Sequence, residues 1–193
     1  MLQHAAHSEQ GDRHGGCLGS PEGEGEQTKG GKGMRVYHGS TMVVDRPIAA
    51  AGRRRLDFGQ GFYVTDIKSQ ADSWAERMQQ IREEPGVVSV YELDIDKVKA
   101  DYRYYRFMHY DNEWLQFIVA NRVGRKDVEH YDVTEGGVAD DRVIDTVEAY
   151  MSNLMTLGRA LRELSRHQPN NQLCIASQKV IDECMTFVES YNI

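Results

Sequence analysis

The sequence predicts one α+β domain on a mainly antiparallel or split sheet, and three observations predict it. Short β-prone runs (RVYHGS, FYVT, VVSVYELD, QLCIAS) are interspersed with amphipathic helical stretches in no regular βαβ alternation. No internal repeat is visible, and neither a GxGxxG opening a helix after a strand nor a GxxxxGK[ST] loop occurs. At 193 residues, 40% hydrophobic and 27% charged, the chain is long enough and apolar enough for one core.

Residues 1–33 read as a different polymer, rich in Gly, Glu and polar residues with almost nothing to bury. Such a segment does not offset its ordering entropy, so it is expected to be a disordered tail, with the domain over 34–193. The domain opens on the strand RVYHGS. A loop through Pro47 and the basic run Arg53, Arg54 and Arg55 leads to LDFGQGFYVT, a glycine-rich turn running into a strand.

A helix follows, with Thr65 or Asp66 as N-cap, Ile67, Ala71, Trp74, Ala75 and Met78 on its apolar face, and Pro85-Gly86 closing it. VVSVYELD (87–94) alternates as a strand, and YRYYRFMHY (102–110) is extended or irregular. Asp111 caps a helix with Trp114, Leu115, Ile118 and Val119 on one face. HYDVTEGGVADD reads as a strand, a Gly-Gly turn and an acidic pair. There Asp140 or Asp141 caps the run carrying Val143, Ile144, Val147, Tyr150, Met151 and Leu154. A short helix over about 159–165, the strand QLCIAS and a last helix with Val180, Ile181, Cys184, Phe187, Val188 and Tyr191 inward complete the domain.

The formal charge of −7 argues against binding nucleic acid chiefly by phosphate neutralisation, although the three arginines form a local basic patch able to meet phosphates. Three widely spaced cysteines without a CxxC fit a reducing, cytoplasmic compartment. No HxxxH or HExxH spacing occurs among the seven histidines, so no metal is expected. No apolar run approaches the ~20 residues of a membrane span, and no signal peptide is visible.

In LDFGQGFYVT, glycines stand beside bulky rings. One reading is a turn with the rings in the core; the other is a backbone that a ligand approaches closely, with an aromatic platform beside it. Singly, His38 reads as a turn histidine, Tyr63 as core, Gln172 as a strand-edge residue and Cys174 as a packed thiol.

In order, however, VYHGS, LDFGQGFYVT before a helix, EWLQFIVANR, YDVTEGGVADD and NQLCIASQK resemble the bacterial DUF3990 group of the ADP-ribosyltransferase-like superfamily, from about Arg35 to Phe187. The resemblance implies split antiparallel sheets with flanking helices and NAD bound between them. It implies a His-Tyr-Glu signature matched here by His38 with Gly39, Tyr63 and Gln172. His38 then bonds a ribose hydroxyl, the Gly39 backbone pairs with the nicotinamide carboxamide, Tyr63 stacks on the nicotinamide, and Ser40 and Gly61 border the ligand. The sequence departs from the signature at Gln172, which keeps the shape of glutamate without its charge; Asp57, Asp140 or Asp141 stand as possible substitutes. The resemblance implies transfer of a single ADP-ribose from NAD to a protein or nucleic-acid acceptor. A bacterial toxin–antitoxin setting with a small neutralising protein partner is implied likewise. NAD hydrolysis, or NAD or ADP-ribose binding without turnover, are the alternatives.

Overall fold

The computed structural model describes residues 33–139, 141–167 and 170–193. The expectations for the 1–32 segment, Asp140 and Pro169 lie outside these. The chain order is β1 (Met34–Ser40), β2 (Phe62–Val64), α1 (Lys68–Arg82), β3 (Val87–Leu93), α2 (Ile95–Asp101), β4 (Tyr104–Arg106) and α3 (Asn112–Val123). It continues β5 (Val133–Gly136), α4 (Asp141–Met151), α5 (Leu157–Leu164), β6 (Gln172–Ile175), α6 (Gln178–Cys184) and β7 (Met185–Asn192). A short 3-10 turn, Ala49–Ala51, interrupts the long β1–β2 connection.

The strands form two sheets, β1-β3-β7 and β2-β6-β5-β4. Pairing is antiparallel except between β4 and β5, where α3 carries the chain back to run in the same direction. Strand alternation gives each sheet an inner and an outer face. Val36, Tyr91 and Leu93 of the first sheet share one core with Phe62, Val64, Leu173 and Ile175 of the second. Outside the first sheet, α1 lays Ala71 and Ala75 on Val88. Outside the second, Trp114, Leu115 and Ile118 of α3 pack with Val143 and Val147 of α4 on Phe58, Phe107 and Cys174. The α+β class and the split sheet are therefore as expected, with one parallel pair added.

Several local expectations are corrected. The last helix stops at Cys184, and Met185–Asn192 is strand β7, paired along β3. The residues Phe187 and Tyr191 lie near helical spacing from Cys184, but β-favouring Thr, Phe, Val and Tyr next to an open edge of β3 settle on the ladder. On α1 the N-cap is Ile67 without a side-chain cap bond; the Thr65 hydroxyl accepts from Ile67 N–H (3.1 Å) while donating to the Asn171 carbonyl (2.7 Å). Only the alanines of α1's apolar face are buried, because a helix lying flat on a sheet admits small residues, and Trp74 (46%) and Ile67 (39%) are exposed. Glu83, in the left-handed region (φ 58°), ends α1 before Pro85-Gly86. Leu154 is exposed beyond the end of α4. By contrast, Asp111 caps α3 as expected, accepting from Trp114 N–H at 3.0 Å.

Candidate functional site

The two sheets join at one point. Tyr37 and Thr65 exchange both backbone hydrogen bonds, Tyr37 N–H to Thr65 O at 2.8 Å and Thr65 N–H to Tyr37 O at 3.0 Å. In an antiparallel ladder these directions alternate, so Gly39, two residues on and opposite Val88, also turns its N–H and C=O toward β2. A continued ladder would bring it Tyr63 as partner. Instead the Tyr63 carbonyl is taken by Nδ1 of His38 at 2.7 Å, and the ladder goes no further. Gly39 is left buried, with a backbone donor and acceptor that no described group satisfies. Buried backbone polar groups without a protein partner are rare and are ordinarily satisfied by an ordered water or a ligand.

His38 is held on both sides, its ring 4.5 Å from Phe62 and its Nδ1 on the carbonyl. Burial lowers its pKa, so the ring is neutral. A neutral ring donating from Nδ1 keeps its Nε2 lone pair free to accept from a hydroxyl.

The glycines bear out the packing reading more than the ligand reading. A Cβ on Gly39 would run into the Ala71 carbonyl oxygen and stand 2.9 Å from Ala75 N, so its missing side chain makes room for α1. A Cβ on Gly61 would stand 2.5 Å from Cys174 Sγ and 2.8 Å from Ile175 O, so Gly61 serves the β2–β6 contact. Gly59 alone of that turn needs glycine conformationally, at φ 84°. Tyr63 is half-buried. Its hydroxyl donates to Gly59 O (2.7 Å) and accepts from Phe58 N–H (3.1 Å), tying down the turn, and burial raises its pKa far above the ordinary phenol value. The Ser40 hydroxyl closes its own turn on Met42 O (2.6 Å).

Gln172 begins β6, half-buried, opposite Gly136. It shares a face with Cys174, the register partner of Tyr63, so Gln172 and Tyr63 lie on the outer face of the second sheet. His38 lies on the Phe62 side of β2, the opposite face. The amide of Gln172 makes no hydrogen bond to another described residue. Of the proposed substitutes for the missing charge, Asp57 is held by Arg122 (Nε 2.7 Å, Nη2 2.6 Å) and by Ala139 N–H (2.9 Å). Asp141 starts α4.

Sequence reasoning missed two residues beside this site. Glu135, 4% exposed on β5, accepts from the Tyr104 hydroxyl, from Asn171 Nδ2 (3.2 Å), and pairs with Arg106 Nε (3.3 Å). Its Thr-Glu-Gly-Gly setting read only as the approach to a turn. Trp74 exposes nearly half its ring on α1, the helix that backs Gly39; its helical spacing argued for burial. Cys174 is a packed thiol, its pKa pushed up to about 12 by burial. Two surface hollows, of about 480 Å³ at Tyr110–Asn112 and Leu161–Ser165 and about 380 Å³ at Ile48–Ala50, contain none of His38, Gly39, Tyr63 and Gln172. Among the described residues no cluster of His, Cys, Asp or Glu could hold a metal, and no helix is long and apolar enough to cross a membrane.

A two-sheet α+β protein whose sheets part at a histidine-wedged strand edge is what the fold and this site define. The chain belongs to the family described as "Protein of unknown function (DUF3990)", which it matches over residues 34–187. No curated protein and no solved structure matches it.

Proposed function

We propose that the protein is a mono-ADP-ribosyltransferase of the ADP-ribosyltransferase-like superfamily, cleaving NAD and transferring ADP-ribose to a macromolecule. The observation that carries this reading is the unpartnered N–H and C=O of Gly39 at the split between β1 and β2. A primary carboxamide offers one acceptor and one donor side by side, the complement of that pair. Nicotinamide bound there places its ribose toward His38, whose Nε2 accepts from a hydroxyl. The free amide of Gln172, at the start of β6, is the group left to bond a second ribose hydroxyl, and the exposed ring of Trp74 on α1, the helix behind Gly39, offers an aromatic surface for the nicotinamide. The glycosidic C–N bond breaks with its electron pair leaving on nicotinamide. The acceptor's nucleophile forms the new bond to the ribose carbon and gives up its proton.

Gln172 supplies no charge to the cation developing on the ribose, and the buried carboxylates Asp57 and Glu135 are both paired. That favours a second reading, NAD binding without turnover. Incubation with NAD labelled in the adenine, with nicotinamide release and label on macromolecules both measured, decides between them. Binding without nicotinamide release refutes the transferase reading, and release without macromolecular label converts it to hydrolysis. A small neutralising protein and a bacterial toxin–antitoxin setting rest on the family resemblance alone.

A further inference from the structure

Arg53, Arg54 and Arg55 lie in the connection from β1 to β2, the two strands that border the split. All three are exposed, and none makes a hydrogen bond or ion pair with another described residue. Their segment is tied at both ends. Upstream, Gln60 Nε2 donates to Ala50 O (2.6 Å) and Gly52 O (3.0 Å); downstream, Asp57 is clamped by Arg122 and Ala139. The Tyr63 hydroxyl fixes the turn that follows. Three like charges are thus presented side by side from an anchored base, in a chain of net charge −7.

Two described acids are engaged elsewhere, Asp57 by Arg122 and Asp127 by Arg125. Arg55 lies along the end of α3, its Nε 3.3 Å from where a Gly124 Cβ would stand, so Arg53 and Arg54 are the pair to replace in a test that leaves that contact intact. The same connection exposes Met42 (66%), Val43 (50%) and Ile48 (60%), apolar surface on which unstacked bases can lie. Guanidinium groups bind phosphate oxygens in a bidentate manner, and one connection that carries both a cationic row and exposed apolar side chains suits a single strand, whose phosphates and bases are both open to contact.

We propose that this connection is a docking surface for single-stranded nucleic acid, which is the acceptor brought to the split. The inference rests on the transferase reading and names its substrate class.

The test uses the full chain and a fluorescein-labelled 20-nucleotide single strand, as DNA and as RNA, with binding followed by anisotropy against salt. Three phosphate contacts give a slope of log affinity against log salt near roughly −2, so affinity falls about 15-fold between 50 and 200 mM. In R53Q/R54Q the slope becomes shallower by roughly 1.4 with the melting temperature unchanged, while R53K/R54K keeps the parent slope. An unchanged slope in R53Q/R54Q overturns the proposal, as does parent affinity no different from that of a neutral polymer. A raised KM for NAD in R53Q/R54Q without oligonucleotide also overturns it, since the arginines would then be reading the pyrophosphate of NAD. Label from NAD that resists nuclease and yields to protease removes nucleic acid as acceptor. Absence of nicotinamide release refutes the transferase reading, while the anisotropy series still decides the docking surface.

Discussion

Replacing Gly39 by alanine separates a packing role from a ligand role. The added methyl would meet three backbone atoms of α1: it would run into the Ala71 carbonyl oxygen and stand 2.9 Å from Ala75 N and 3.3 Å from Ala71 C. Ordinary contact begins at 3.4 Å, and none of the three belongs to a side chain that can swing away. Gly39 has no positive φ, so the cost is steric alone. Overpacking against a rigid neighbour costs about 1–3 kcal/mol, and contact with helix backbone belongs at the upper end. For a domain of this size that is a fall in Tm of about 6–12 °C. Differential scanning calorimetry of Gly39→Ala against the parent measures it. Gly158→Ala is the control: its nearest neighbour would be Arg162 Nη1 at 3.7 Å, and alanine inside α5 is expected to stabilise slightly. A Gly39→Ala protein that melts within about 1 °C of the parent refutes the placement of α1 against β1. One that keeps its Tm and loses NAD binding refutes the packing account and restores the ligand as the sole reason for glycine.

Further outcomes are expected at the site and around it. His38 has a lowered folded pKa, so in the window below about 6.5 the unfolded chain takes up a proton that the folded one does not. Its contribution is therefore whole above that pH and is lost as pH falls, with a slope of at most about 1.4 kcal/mol per unit; urea titrations of parent and His38→Gln at pH 5 and 7.5 check that the slope flattens. Tyr63→Phe removes the hydroxyl between Phe58 N–H and Gly59 O and is expected to cost about 1–3 kcal/mol by chemical denaturation; no loss would mean that the turn holds without it. Gln172→Glu places a carboxylate by the breaking bond, and faster nicotinamide release is the outcome to look for, with an equal rate removing Gln172 from the site. Trp74→Ala, at an exposed position, is expected to leave Tm unchanged and to weaken NAD binding by about 1 kcal/mol in calorimetric titration.

What the sequence disclosed depended on how many residues voted for each element. VVSVYELD, rich in β-branched and aromatic residues between flanking turn residues, became β3 within one residue, and Asp111 announced α3 because a capping side chain is a local signal. α2 went unread: it has seven residues and one buried position, Val98, too few for a periodicity. β7 went unread because its pairing partner lies far off in sequence and its spacing continued that of α6. At the site, His38-Gly39 ending the first strand was legible; the reason for the glycine was not, since only the fold brings Ala71 and Ala75 behind it. Glu135 was invisible for the same cause: its burial depends on Tyr104, Arg106 and Asn171 arriving from other elements.

β3 is the middle strand of the first sheet, and its two neighbours come from residues 34–40 and 185–192. During synthesis, therefore, β1 and β3 can meet early, but their sheet keeps a bare edge until Asn192 has left the ribosome. Three strands of the second sheet, β4, β5 and β6, are made within that interval, as are helices α2 to α6. Pairing over such separations is slow, and an exposed strand edge is a template for intermolecular pairing while it lasts. The nascent chain thus has a long stretch of translation in which one edge of β3 stands open, and the arrival of β7 is the event that closes it.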